Sequence, residues 1–386
     1  MLHTDRLLEL AAISVRPCIS IYSQTGAAGA DSAGDPIRLK HAIQQAEARL
    51  GELGFESRET ERLLAPATDF LANLSPTSYA DGTLAVLLGG DTVEILHSPL
   101  RVETQVFVSD RLHLKPLLPV LTENARFYVL AVSEKQVRLY ECTRFSQREL
   151  PLADTAAPTS LEDAQHAPVQ PPEGTPARTV VVGARGGNRG AAIYYGGGDE
   201  NSVRYHELFH FLREVSTGIA PLLDGRSPLI FAGVDELFAI FRHANTCDHL
   251  ADTALSGNPD HVRPEELRAR GWEIVAAAME QRIAEAHEAF GVLGARGRAT
   301  DDVKAAALAA RDGLAGTIIG ATDTVIWGRV SDSGDDVEYR PQPEPWDYDL
   351  IDYAAMQAME HSGTALMVPA PRVPGNGRGL AALLRY

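Results

Sequence analysis

Two strings within residues 178–213 combine residue types and spacings that can do chemistry. The first is Gly186-Gly187-Asn188, set between Arg185 and Arg189. Two glycines allow positive φ and close backbone approach, the asparagine amide both donates and accepts, and arginines meet phosphates. That suits a loop presented to nucleic acid or to a carbonyl centre. The second string is His206-Glu207-Leu208-Phe209-His210. Histidines four residues apart share one helix face, and the glutamate between them can act on a metal-bound water, so His206 and His210 are candidate zinc ligands. The position where a metzincin pattern has its third histidine holds Ser216, and nothing singles out another ligand. Val203, Leu208, Phe211, Leu212 and Val215 recur at helical spacing, which makes the two histidines flanking residues of a core-facing helix. The expectation is therefore no cofactor, with zinc as the alternative.

The elements around these strings must position them. Residues 179–182 read as a strand, followed by a glycine-rich loop and a helix from about 202 to 223. The apolar runs 125–132 and 228–232 suit strands buried on both faces, with 136–141 and 147–150 as further strands. Asp235 can cap a short helix over 236–243, and the Pro-, Ala- and acid-rich stretch 153–175 reads as a surface excursion. Upstream, a strand over 18–22 precedes a helix with Asp35 as N-cap and Pro36 at its first position. A second helix spans about 60–74, with Pro66 kinking it or marking its start. Strands follow over 83–88, 92–96 and 102–108, with a Gly89-Gly90-Asp91 hairpin turn, then a helix over 112–121 broken near Lys115-Pro116. Downstream, a helix over 264–290 is long enough to join two domains; helices over 301–311 and 349–361 alternate with strands at 316–320, around Trp327, and at 364–368. The class is α/β and α+β, in three domains over 1–122, 123–268 and 269–386.

With 35 Lys+Arg against 52 Asp+Glu the formal charge is −17, which repels a polyanion at long range and disfavours DNA and indiscriminate nucleic-acid binding. An RNA contact must come from local clusters. Residues 178–213 hold five arginines (178, 185, 189, 204, 213) against three acids. Arg38 and Lys40 crowd a helix start that is either a solvated face or an RNA contact. Glu344, Asp347, Asp349 and Asp352 read as another solvated helix start, with a cation site as the alternative. Cys18, Cys142 and Cys247 form no CxxC pair and fit a reducing cytoplasm, and no apolar run approaches the ~18 residues of a membrane span.

The ending Gly375-Asn376-Gly377-Arg378-Gly379 with Leu380 to Tyr386 resembles the close of the third domain in the archaeo-eukaryotic peptide-release-factor and Pelota family. RIAE (282–285), DDVKAA (301–306), GLAGTIIG (313–320) and PLIFAGVD (228–235) extend the resemblance, and PCISIY (17–22), DPIRLK (35–40) and RLHLKPLL (111–118) are similar to its bacterial branch. The resemblance implies an RNase H-like middle domain, an L7Ae-like third domain, and a ribosomal setting. Partners would be the ribosome or structured RNA and a translational GTPase. The family's release factors carry Gly-Gly-Gln, so Gly186-Gly187-Asn188 departs by one methylene, and a misplacement of about 1 Å can cost about a hundredfold in rate. The function expected is a rescue, stalling or dormancy factor without efficient peptidyl-tRNA hydrolysis, contacting RNA through Arg185, Arg189, Arg204, Arg38 and Lys40. The alternatives are ester cleavage by Gly186, Gly187 and Asn188, zinc proteolysis by the 206–210 helix, or a protein-binding adaptor.

Overall fold

The computed structural model describes residues 4–26, 34–75, 79, 81–123, 125–166, 200–331, 334–375 and 377–386. These divide into two compact units, one built from residues 1–125 and 276–386 and the other from 126–275.

The first segment runs α1 (Thr4–Ala11), β1 (Ser14–Thr25), α2 (Asp35–Glu52), α3 (Ser57–Asn73), β2 (Gly82–Gly89), β3 (Thr92–Ser98), β4 (Gln105–Arg111) and α4 (Leu118–Glu123). The strands form an antiparallel sheet in the order β3-β2-β1-β4. Alternation along the strands divides the side chains between two cores. Ile19 and Ile21 of β1, with Leu84, Val86 and Leu88 of β2, pack on Leu39, Ile43 and Leu50 of α2 and Leu64 of α3. Cys18, Tyr22, Ala85 and Leu87, one residue out of phase, join a core shared with the C-terminal segment. Asp35 is not the N-cap: Gly34 holds that place, and Asp35, buried, accepts from Gly26 N at 2.9 Å, next to the end of β1. Pro66 lies inside α3 rather than at its start. Val102 is not in a strand, because its N–H goes to Thr83 Oγ1 at 2.8 Å, and β4 begins three residues later.

The second unit holds β5 (Phe127–Val132), β6 (Val137–Cys142), β7 (Gln147–Leu150), α5 (Leu161–His166), α6 (Glu200–Ile219), β8 (Leu229–Gly233), α7 (Asp235–Ala244) and β9 (Leu255–Ser256). Its sheet has the order β7-β6-β5-β8-β9; β5, β8 and β9 pair in parallel, and β6 runs antiparallel to both of its neighbours, β5 and β7. Every residue of β5 and β8 is buried, as their unbroken apolar runs require. The stretch after β7 is not merely a surface excursion: Leu152 and Ala157 are buried, Val137 N donates to Thr159 O (2.8 Å), and α5 packs against α6. Asp235 is the first residue of α7 rather than its cap and accepts from Ser256 Oγ at 2.6 Å. The expected strand over 179–182 lies outside the described residues.

Helix α8 (Pro264–Gly294) starts in the second unit and ends in the first. The last segment adds β10 (Ala299–Thr300), α9 (Val303–Arg311), β11 (Ala315–Ala321), β12 (Trp327–Val330), β13 (Val337–Arg340), β14 (Tyr348–Asp349), α10 (Leu350–Glu360), β15 (Thr364–Val368) and β16 (Leu380–Leu384). One sheet has the order β10-β16-β11-β15, with β11 and β15 parallel, and a small antiparallel sheet has the order β13-β12-β14. The alanine-rich faces of α9 and α10 pack on the first of these. Among the described residues, no helix is long and apolar enough to cross a membrane.

Candidate functional site

Gly186, Gly187 and Asn188, with Arg185 and Arg189, lie outside the described residues. The helix that follows them is described. Leu208, Phe211, Leu212, Val215 and Ile219 of α6 are buried at helical spacing, which fixes the helix's rotation and sends His206, Glu207 and His210 to its exposed side. There they line, with Glu214 and with Leu161 and Ala164 of α5, a groove of about 490 Å³. Phe209 stands edge-on to His210 (6.2 Å, 84°), and Tyr205 stacks on Phe209 at 6.4 Å.

The two histidines are brought together on one face, yet no group of three or more His, Cys, Asp or Glu among the described residues is arranged to hold a metal. A closed zinc site needs four ligands and a catalytic one three, so the pair alone does not fit the ion. Ser216, which holds the metzincin position, is fully buried on the opposite, core side: its Oγ meets Asn245 Oδ1 at 3.1 Å and accepts from Thr246 N at 2.8 Å, locking α6 to the end of α7. Of the arginine candidates, Arg204 on α6 is exposed and pairs with Glu134 at 2.7 Å. Arg38 on α2 pairs with Asp35 and donates to Gln24 O (3.0 Å), while Lys40 is exposed. Arg38 and Lys40 lie in one unit and Arg204 in the other.

A second cluster contradicts the sequence expectation. Asp347, Asp349 and Asp352 are not a solvated helix start; all three are at least 97% buried. Asp349 Oδ1 accepts from Ile351 N (3.0 Å) and Ile326 N (3.2 Å), capping α10, while its Oδ2 faces Lys115 Nζ as a charge contact without an aligned hydrogen bond. Lys115, also buried, donates to Thr324 O. Both Asp352 oxygens accept from Leu114 N at 3.1 and 3.2 Å. Burial, and then the neighbouring Asp349 charge, push the Asp352 carboxyl up to about 7. His113 stacks on Phe107 with ring centres 3.7 Å apart. Its Nδ1 lies 3.6 Å from Asp352 Oδ2, but burial, followed by Lys115, holds the imidazole well below its usual range, so it is neutral and the contact is no ion pair. Tyr22 donates to His113 O, and His113 N donates to Ser20 Oγ at 2.9 Å. The sequence signal was present: His113 and Lys115 stand alone in an apolar run, and Asp349 and Asp352 are spaced to share a helix face.

None of the curated proteins matches the sequence. Among solved structures, the chain is similar to the archaeal translation termination factor aRF1 (14% identity, 100% of this chain and 99% of that one, TM-score 0.25). It is also similar to Dom34 of S. cerevisiae, a translation termination-like factor that interacts with Hbs1 (10%, 80% and 74%, 0.36), and to archaeal Pelota as bound to the ribosome with ABCE1 (10%, 100% and 94%, 0.37). The family model described as bacterial archaeo-eukaryotic release factor family 3 matches residues 126–313, a span that includes the mixed sheet, the Gly186-Gly187-Asn188 triplet, α6 and most of α8. Over those residues this chain is similar to the bacterial archaeo-eukaryotic release factor family.

Proposed function

We propose that this protein binds the ribosome as a translation factor of the release-factor and Pelota kind, in rescue, stalling or dormancy, without efficient peptidyl-tRNA hydrolysis. The family match over 126–313 carries the reading. Within it the triplet ends in Asn188, whose shorter side chain sets its amide back from where a glutamine amide would stand. In a reaction whose rate depends on placement to within about 1 Å, this favours binding over turnover. The division into domains 1–122, 123–268 and 269–386, with an L7Ae-like third domain, is part of the reading, as are a cytoplasmic location and a translational GTPase partner. Dom34 is a protein of this kind that interacts with Hbs1.

The test is co-sedimentation with ribosomes from growing and starved cells, beside a peptidyl-tRNA hydrolysis assay. Ribosome-bound protein with hydrolysis no faster than the uncatalysed rate is expected. Absence from ribosomal fractions at low salt in both states sinks the reading, and rapid hydrolysis abolished by Asn188→Ala replaces it with a release enzyme.

A further inference from the structure

Arg298 and Arg385 meet at one end of the β10-β16-β11 sheet, and Arg296 lies two residues before Arg298 in an exposed turn. Arg296 and Arg298 flank Gly297 (φ 69°) in the turn that closes α8. Arg298 O accepts from Leu384 N at 2.9 Å, and its guanidinium donates to Arg385 O. Arg385 N donates to Leu314 O at 2.9 Å, and its guanidinium donates to His361 O. The stem of Arg385 lies across Gly316, where a Cβ would stand 3.3 Å from its Cγ. Leu314, beside it, is 45% exposed.

The charges here are not neutralised. Arg311 pairs with Asp312 at 2.7 Å, but among the described residues no carboxylate lies within ion-pair distance of Arg296, Arg298 or Arg385. The hydrogen bonds that hold Arg298 and Arg385 run to backbone carbonyls, which fix position without cancelling charge. In a chain of net charge −17 such a concentration of uncompensated guanidinium is the kind of local cluster by which an acidic protein approaches a polyanion. Arginine's planar fork matches phosphate oxygens, and two of the three forks are already oriented by the backbone. A Cβ at Gly297 would meet nothing within 4 Å, so the turn between Arg296 and Arg298 is open and a sugar-phosphate chain can come close.

We infer that this edge is a phosphate-backbone contact for structured RNA. The inference rests on the ribosomal reading above, but its test does not depend on ribosomes. Binding of fluorescently labelled bulk tRNA to the full chain is measured across a KCl series for the wild type, Arg296→Gln, Arg385→Lys and Arg296→Gln/Arg385→Gln, with thermal melting as a check on folding. The salt slope is expected to fall by about one for each arginine neutralised and to persist in Arg385→Lys. An unchanged slope in the folded double variant overturns the inference; if Arg385→Gln unfolds the chain, Arg296→Gln in its exposed turn decides alone. Competition by poly-glutamate more effective than by unlabelled tRNA also overturns it, in favour of an acidic protein partner. Ribosome co-sedimentation of the same variants separates the two claims. Wild type absent from ribosomes but showing the arginine-dependent slope sinks the ribosomal reading alone, whereas ribosome binding with an unchanged slope sinks only the arginine edge.

Discussion

Lys115 and Asp349 face each other with 3% and 0% of their side chains exposed, joining the turn before α4 to the cap of α10. Two charges so withdrawn are stable only together. Truncating one leaves the other buried and uncompensated, a cost of about 3–5 kcal/mol. Lys115→Met is therefore expected to lower the denaturation midpoint sharply. Adding Asp349→Asn, which removes the charge and keeps an oxygen for the helix cap, recovers much of the loss. Denaturant melts of the single and double variants check this, and a double variant as unstable as Lys115→Met refutes it.

Asp352 makes the same region sensitive to pH. Its folded pKa is raised to about 7, above the ordinary value of 3.8, so between those values the folded chain holds a proton that the unfolded chain has released. This contribution to stability is present below about pH 4 and is lost as pH rises through about 7. Asp352→Asn retains an oxygen to accept from Leu114 N and cannot ionise. Its stability relative to the wild type is expected to rise from pH 4 to pH 7, read from melts at each pH; a difference that stays flat over that range counts against a raised Asp352 pKa.

Gly218 permits a contact no other residue allows. A Cβ there would stand 2.2 Å from Ala157 N and 2.6 Å from Ala157 Cβ. Gly218→Ala is ordinarily favourable within a helix but here must push the 152–157 stretch off α6, and overpacking of this kind costs about 1–3 kcal/mol. The expected result is a lower melting temperature with faster proteolysis near residue 157. Unchanged stability would mean that this contact is not held.

The groove histidines are expected to be dispensable for folding. His206→Ala and His210→Ala should each change stability by less than about 0.5 kcal/mol, as exposed positions do. Untagged protein should carry well under one equivalent of zinc by elemental analysis. A full equivalent lost in His206→Ala would restore the metal reading.

Restoring the family's glutamine tests the triplet from the other side. Asn188→Gln is expected to raise peptidyl-tRNA hydrolysis above the wild-type rate if length alone limits the loop, since the backbone glycines are already in place. Equal rates in the two proteins would move the obstacle elsewhere in the loop.

Much of the architecture was legible because its signals are local. The unbroken apolar runs of β5 and β8, the Gly89-Gly90 turn between β2 and β3, and the stripe on α6 each declare their element within a dozen residues. What escaped reading depends on partners distant in sequence. Asp349 and Asp352 look like a charged helix start until residues more than 230 positions away meet them; Leu114 N reaches Asp352 across a separation of 238. Asp35 and Asp235 have the right types for caps, and each instead satisfies a loop or strand that no local pattern announces. On α6, the spacing of His206 and His210 was legible, while Ser216 at the third-ligand position turned out to be bound into the core. The arginine edge was invisible because Arg298 and Arg385 are 87 residues apart and meet only when β10 pairs with β16.

The same discontinuity orders the events of synthesis. Residues 126–275 complete their unit while the chain is still growing, whereas the shared core around Leu7, Leu10 and Tyr22 waits for partners between 303 and 383. Strand β16, which lies between β10 and β11, is the last to be made. Domains generally fold in the order in which they emerge. Here residues 126–275 can close first, and the nascent N-terminal sheet leaves one apolar face uncovered until residues 303–383 have left the exit tunnel.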